Sequence, residues 1–186
     1  TIDPVVIAAQ IISTLQTVAS RNVDPLQSAV VSVTMLKAGD ASNVIPDEVR
    51  FGGTIRTLTP EIREYTQKRL REISEGVAAA MGGEAQVSVR SGYPVTENHG
   101  EQTGAALLAA GDVAGLPNVD PDVNPMMGGE DFSYMLNARP GNFIFIGNGD
   151  TAALHNADYD FNDEIIPHGV SYWVRLAESR LASLAA

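Results

Sequence analysis

The sequence predicts a mixed α/β chain in two parts, on three observations. Residues 1–97 alternate helix-period and strand-period stretches in the order α-β-β-α-β. Residues 98–186 carry about three helices around one strand-like run. A polar junction, ENHGEQTG at 97–104, separates them. The apolar share, 44% of 186 residues, suffices for a core of ordinary size, and a charged share of 19% does not fit a disordered chain.

Each element has a local reason. Asp3-Pro4 starts a helix, with Asp as the capping residue and Pro at the first helical position. Val5, Ala9, Ile12, Leu15 and Ala19 then recur at helical spacing, and Asn22 can end the helix. Residues 28–37, SAVVSVTMLK, are β-branched and apolar and predict a strand. A polar connection, AGDASNVIPDE, leads to a second strand, VRFGGTIRTL at 49–58, where Gly52-Gly53 predicts a bulge or a close approach. Thr59-Pro60 opens a second helix whose apolar face is Ile62, Thr66, Leu70, Ile73, Val77 and Met81, and Gly82-Gly83 stops it. In a third strand Ala85, Val87 and Val89 face one way and Gln86, Ser88 and Arg90 the other. One strand placed before this order completes β-α-β-β-α-β. Residues 1–97 therefore predict a ferredoxin-like unit that lacks its first strand. Beyond the junction, 103–115 predicts an alanine-rich helix, EDFSYML a short helix, and NFIFIGNG (142–149) a buried strand running into glycines. The last helix, 167–184, is expected to bury Val170, Trp173, Ala177, Leu181 and Leu184.

Composition removes several function classes. With 12 basic against 23 acidic residues the net charge is −11, the wrong sign for a nucleic-acid face or an anionic membrane surface. Cysteine is absent, so there is no disulfide framework, thiolate metal site or cysteine nucleophile. No run of apolar residues reaches spanning length, and a cytoplasmic setting is the default expectation. Serine-nucleophile elbows, phosphate loops and dinucleotide fingerprints do not occur.

Few residues remain that could carry chemistry. His155 follows the strand-like run and its glycines, where α/β sheets place functional loops; the acids Asp158, Asp160 and Asp163 nearby could orient an imidazole. The same features describe a solvated loop histidine. Gly128-Gly129-Glu130-Asp131 sets two acids at a helix start, which is either good placement against the helix dipole or a carboxylate carried into a site by a tight turn. Arg56 could grip a carboxylate with two parallel hydrogen bonds, or be an ordinary exposed strand arginine; Asn43 reads as a turn residue. His99 and His168 read as structural or exposed.

Four stretches in order carry a resemblance: DPVVIAAQIISTLQTVASRNVDP, GDASNVIPDEVRFGGTIRT, GGEDFSYML and LHNADYDFND. Together they resemble the carboxy-terminal portion of the zinc-peptidase-clan amidohydrolases, the group that includes hippurate hydrolase, N-acyl-amino-acid amidohydrolase and the plant auxin-conjugate hydrolases. The resemblance implies that 1–97 is the lid domain, a ferredoxin-like unit that pairs two copies into a homodimer, and that 98–186 is the last part of an α/β catalytic domain. It implies hydrolysis of the amide bond of small N-acyl-amino acids by water activated between two divalent ions, zinc first among zinc, manganese, cobalt and nickel. His155 corresponds to the last metal ligand, Glu130 lies near metals and substrate, and Asn43 and Arg56 hold the substrate carboxylate. The remaining ligands and the general-base glutamate are expected upstream of Thr1, so the 186-residue chain alone is expected to be inactive. Two competing readings stand beside this one: a non-catalytic dimerisation or binding module of the same descent, and a small metal-binding protein built on His155, Glu130 and Asp131.

Overall fold

The computed structural model describes residues 1–185, apart from the side chain of Leu184, and these form two compact units. The first comprises Thr1–Val95 and Pro125–Gly129, the second Thr96–Asn124 and the residues from Glu130 onward.

In the first unit α1 (Pro4–Thr17) begins as predicted: the Asp3 carboxylate accepts from the Val5 amide at 2.9 Å and proline takes the first turn. It buries Ile7, Ala8, Ile11 and Leu15. Of the predicted stripe only Leu15 is buried, while Val5, Ala9 and Ala19 are exposed. The stretch PVVIAAQII is apolar nearly all round, so periodicity offers two stripes, and what packs against the helix selects one. A π-helical turn, Val18–Asn22, ends α1, with the Val23 amide bonding to the Val18 carbonyl at 3.0 Å. It turns both Val18 and Val23 into the core, and Arg69 of α2 donates to Asn22 Oδ1 at 3.3 Å.

Strands β1 (Ala29–Ala38) and β2 (Val49–Thr57) form an antiparallel hairpin whose register slips between Val33 and Met35. The bulge anticipated from Gly52-Gly53 is there. A Cβ on Gly53 would stand 1.7 Å from the Ser32 carbonyl oxygen, so no other residue fits. Helix α2 (Pro60–Ala80) is capped by the Thr59 hydroxyl, which accepts from the Ile62 amide. Thr66, Ile73, Ser74 and Ala78 are buried, with Ile62, Leu70 and Val77 packed at the margin. Gly82, at φ +79°, lets the Gly83 amide return to the Ala78 carbonyl at 2.9 Å and close the helix.

The third strand departs from expectation. Ala85, Val87 and Val89 are half-buried and Gln86, Ser88 and Arg90 exposed, the predicted alternation. Yet among the described residues the sheet contains only β1 and β2, and 85–90 makes no ladder. The side chains follow the pattern of a strand without a hydrogen-bonded neighbour. The observed order is α-β-β-α followed by an extended segment.

In the second unit α3 (Gly100–Ala114) packs on α5 (Ile166–Leu184) through Ala106, Ala109 and Tyr172, flanked by Ala110, Ile144 and Leu176. A short helix, α4 (Phe132–Ala138), lies between them in sequence. The predicted stripe of α5 is not buried: Val170, Trp173, Ala177 and Leu181 are exposed, and the Leu184 side chain lies outside the described atoms. The face one residue away, Tyr172 and Leu176, meets α3 instead. The 142–147 run is likewise neither laddered nor deeply buried; Phe145 and Ile146 are exposed. Its backbone is held by a side chain. The Asn98 amide donates to the Phe143 carbonyl (2.8 Å) and accepts from the Phe143 amide (2.7 Å), as a neighbouring strand would. Among the described residues no helix is long and apolar enough to cross a membrane.

Candidate functional site

Arg56 sits near the end of β2, opposite Val30, with its side chain exposed. It makes no ion pair or hydrogen bond among the described residues. Gly129 lies against it: a Cβ there would stand 3.0 Å from Arg56 Nη1 and 3.4 Å from Tyr93 Cδ2. An unpaired guanidinium beside a side-chain-free backbone is open to a planar anion.

Asn43 is exposed in the turn joining the two strands. From Val49, at the loop end of β2, to Arg56 is seven residues of strand, on the order of 20 Å at about 3.3 Å per residue. Asn43 lies in the loop that leads into β2, and Arg56 near the far end of that strand.

Glu130 begins a turn into α4. Its carboxylate accepts from the Phe132 amide at 3.2 Å, and its carbonyl accepts the hydroxyl of buried Ser133 at 2.6 Å. The carboxylate therefore does the capping work that the helix-start reading foresaw, and capping also orients it. Asp131 makes no side-chain cap.

His155 occupies the third position of a turn in which the Asn156 amide bonds to the Ala153 carbonyl at 3.1 Å. Its φ is +69°, and it is the one non-glycine residue with positive φ among the described residues. That position in a type II turn normally takes glycine or asparagine. A side chain there costs about 1–2 kcal/mol. The surrounding loop is tied at its ends: Asn148 donates to the Asp160 carbonyl (2.7 Å) and accepts from the Asn162 amide (2.8 Å). This closure, with a second turn at Asn156–Tyr159, over-determines the backbone and holds the exposed imidazole out in a strained conformation.

His99 is structural. Its Nδ1 accepts from the Gly141 amide at 3.2 Å, its own amide donates to the Gly141 carbonyl at 3.1 Å, and its carbonyl receives Thr103 at the start of α3. Sequence reasoning had no signal for the Asn98 and Asn148 clamps, since side-chain-to-backbone bonds between distant residues leave no periodicity. It also read Gly129 only as a hinge for the acids after it.

The model of Peptidase family M20/M25/M40 matches residues 4–179. The chain belongs to this family. Among curated proteins it is 38% identical over 176 residues to N-acetylcysteine deacetylase of Bacillus subtilis (strain 168), covering 95% of the chain and 46% of that protein. It is 35% identical over 175 residues to hippurate hydrolase of Campylobacter jejuni, covering 94% and 46%. A solved Bacillus subtilis structure, described as a dinuclear metal-binding peptidase of the M20 family, superposes with a TM-score of 0.73 at 33% identity over 95% of the chain and 46% of its own. A Staphylococcus aureus protein superposes with a TM-score of 0.80 at 24% identity, a likeness of fold alone. The chain spans about half the length of the curated relatives it matches. The expected family is therefore shown.

A two-metal centre needs several imidazoles and carboxylates converging on one point. No three histidines or acids among the described residues form such a group, so neither Glu130 nor the acids near His155 complete a centre with it.

Proposed function

We propose that this chain supplies two parts of a metal-dependent amidohydrolase acting on small N-acyl-amino acids: a ligand of the metal centre, His155, and the cation that grips the substrate carboxylate, Arg56. The observation that carries the reading is the left-handed backbone at His155. Strain persists where function requires it, and here it falls on the histidine of the Leu-His motif in a family member. The relatives support the substrate class, since N-acetylcysteine and hippurate are N-acyl-amino acids. The dinuclear M20 structure supports two divalent ions, and imidazole and carboxylate ligands suit zinc, manganese, cobalt or nickel.

In this reading residues 1–97 are the lid, ferredoxin-like apart from its first strand, and the surface through which two copies pair; residues 98–186 are part of the catalytic domain. His155 would hold one of two divalent ions, which would supply the activation of the water that attacks the acyl carbon. None of the reaction's steps is assigned to this chain's own residues, because no three histidines or acids among the described residues form a metal-holding group. Arg56 holds the carboxylate with charge-assisted hydrogen bonds of about 1.5–3 kcal/mol each, which fixes the amide's position before reaction. Glu130, whose carboxylate accepts from the Phe132 amide, belongs in this reading near the metals and the substrate. Asn43 joins Arg56 at the substrate carboxylate in this reading.

The test uses the 186-residue chain with hippurate and added zinc, manganese or cobalt. No turnover is expected, together with weak hippurate binding that Arg56→Ala removes. Metal-dependent turnover would overturn the assignment of an incomplete centre, and binding indifferent to Arg56→Ala would overturn the carboxylate grip.

A further inference from the structure

We propose that Gly129 is a positioning residue for Arg56: its missing side chain is the seat of the guanidinium, and so sets how well a carboxylate is held. The proposal rests on the reading of Arg56 as the carboxylate anchor.

The glycine pair 128–129 invites a conformational explanation, and the backbone refuses it. The glycines with positive φ are 39, 82, 115 and 149, so neither Gly128 nor Gly129 occupies the left-handed region. Alanine is thus permitted at both by backbone geometry. Space separates them. A Cβ at 128 would meet nothing within 4 Å, whereas one at 129 would meet Arg56 Nη1 at 3.0 Å, Tyr93 Cδ2 at 3.4 Å and Arg56 Cζ at 3.9 Å. The Tyr93 backbone is held, because Arg63 donates to its carbonyl. The guanidinium is not held by any ion pair or hydrogen bond among the described residues. A methyl at 129 therefore displaces the element that moves most readily, the Arg56 head. The fold loses little, but a two-pronged carboxylate grip depends on the placement of that head.

The test is nitrogen-15 NMR of the 186-residue chain, following the Arg56 Nε–H signal, assigned with Arg56→Lys, during titration with hippurate. Gly129→Ala is expected to shift that signal and weaken hippurate binding by up to roughly tenfold, a step that corresponds to about 1.4 kcal/mol. Gly128→Ala leaves both unchanged. An Arg56 signal unmoved by Gly129→Ala, or moved as far by Gly128→Ala, overturns the proposal. Absence of hippurate binding to the parent chain overturns the carboxylate reading instead, and a signal that still moves in Gly129→Ala then upholds the seat. Should Gly129→Ala fail to fold, Arg56→Ala is added to it: recovery of folding locates the clash at Arg56 and supports the proposal, and failure to recover overturns it.

Discussion

Among the described residues, eight buried apolar residues form one core in the first unit, from Ile7 on α1 to Ala78 on α2; in the second the corresponding cluster is Ala106, Ala109 and Tyr172. The first unit's two helices set their buried faces against a hairpin and each other. The second unit's last helix shows solvent Trp173 and Leu181, 62% and 68% exposed. Both units contain helices with a clear apolar stripe. The difference teaches that periodicity announces a face but not its cover, and burial of that face is where most helical stability originates.

The comparison can be broken most severely at the first core. Leu15, 2% exposed, should lose about 2–5 kcal/mol on truncation to alanine, read as a lowered urea midpoint of the first unit. A loss under about 1 kcal/mol would mean that this core is no better built than the other.

The second core can be probed by pH. Burial raises the pKa of Tyr172 above its ordinary 10.0. Folding therefore favours the neutral phenol. Its contribution is fully present below pH 10 and fades as the pH climbs from there through the raised value, because the unfolded chain ionises first. Unfolding followed by a signal of the second unit should shift downward above pH 10, and Tyr172→Phe should flatten that shift. An unchanged slope would put Tyr172 outside the core.

A smaller effect, of opposite sign, is expected at His155. Glycine relieves a left-handed cost of about 1–2 kcal/mol and adds back part of it as unfolded-chain freedom, so His155→Gly should stabilise by under about 1 kcal/mol. A clear destabilisation would make the histidine a structural residue and remove the reason for reading its strain as functional.

Least of all should follow from Trp173→Ser. A buried tryptophan costs about 3–5 kcal/mol to truncate. At its observed exposure a change within about 0.5 kcal/mol is expected by thermal melting. A large cost would show that something covers this face in solution.

The legible parts of the fold were those decided by neighbours in sequence. Asp3-Pro4, Thr59-Pro60 and Gly82-Gly83 mark their helix ends because capping is local chemistry. Gly52-Gly53 marked the bulge, since close backbone approach excludes side chains. What failed depended on distant partners: the stripe of α1 chosen by its packing, the α5 stripe left exposed, and residues 85–90, patterned as a strand but without a ladder. In the candidate site, the loop and histidine at 155 were readable from spacing, but the positive φ was not. Asn43 and Arg56 were joined by resemblance alone.

His155 is proposed as a metal ligand whose centre the described residues do not complete. Calorimetric titration of the chelator-treated chain with zinc, beside His155→Ala, tests it most directly. Weak binding that the substitution leaves unchanged is the predicted result. Tight binding lost with His155→Ala would contradict it, because the chain would then hold a metal with its own residues.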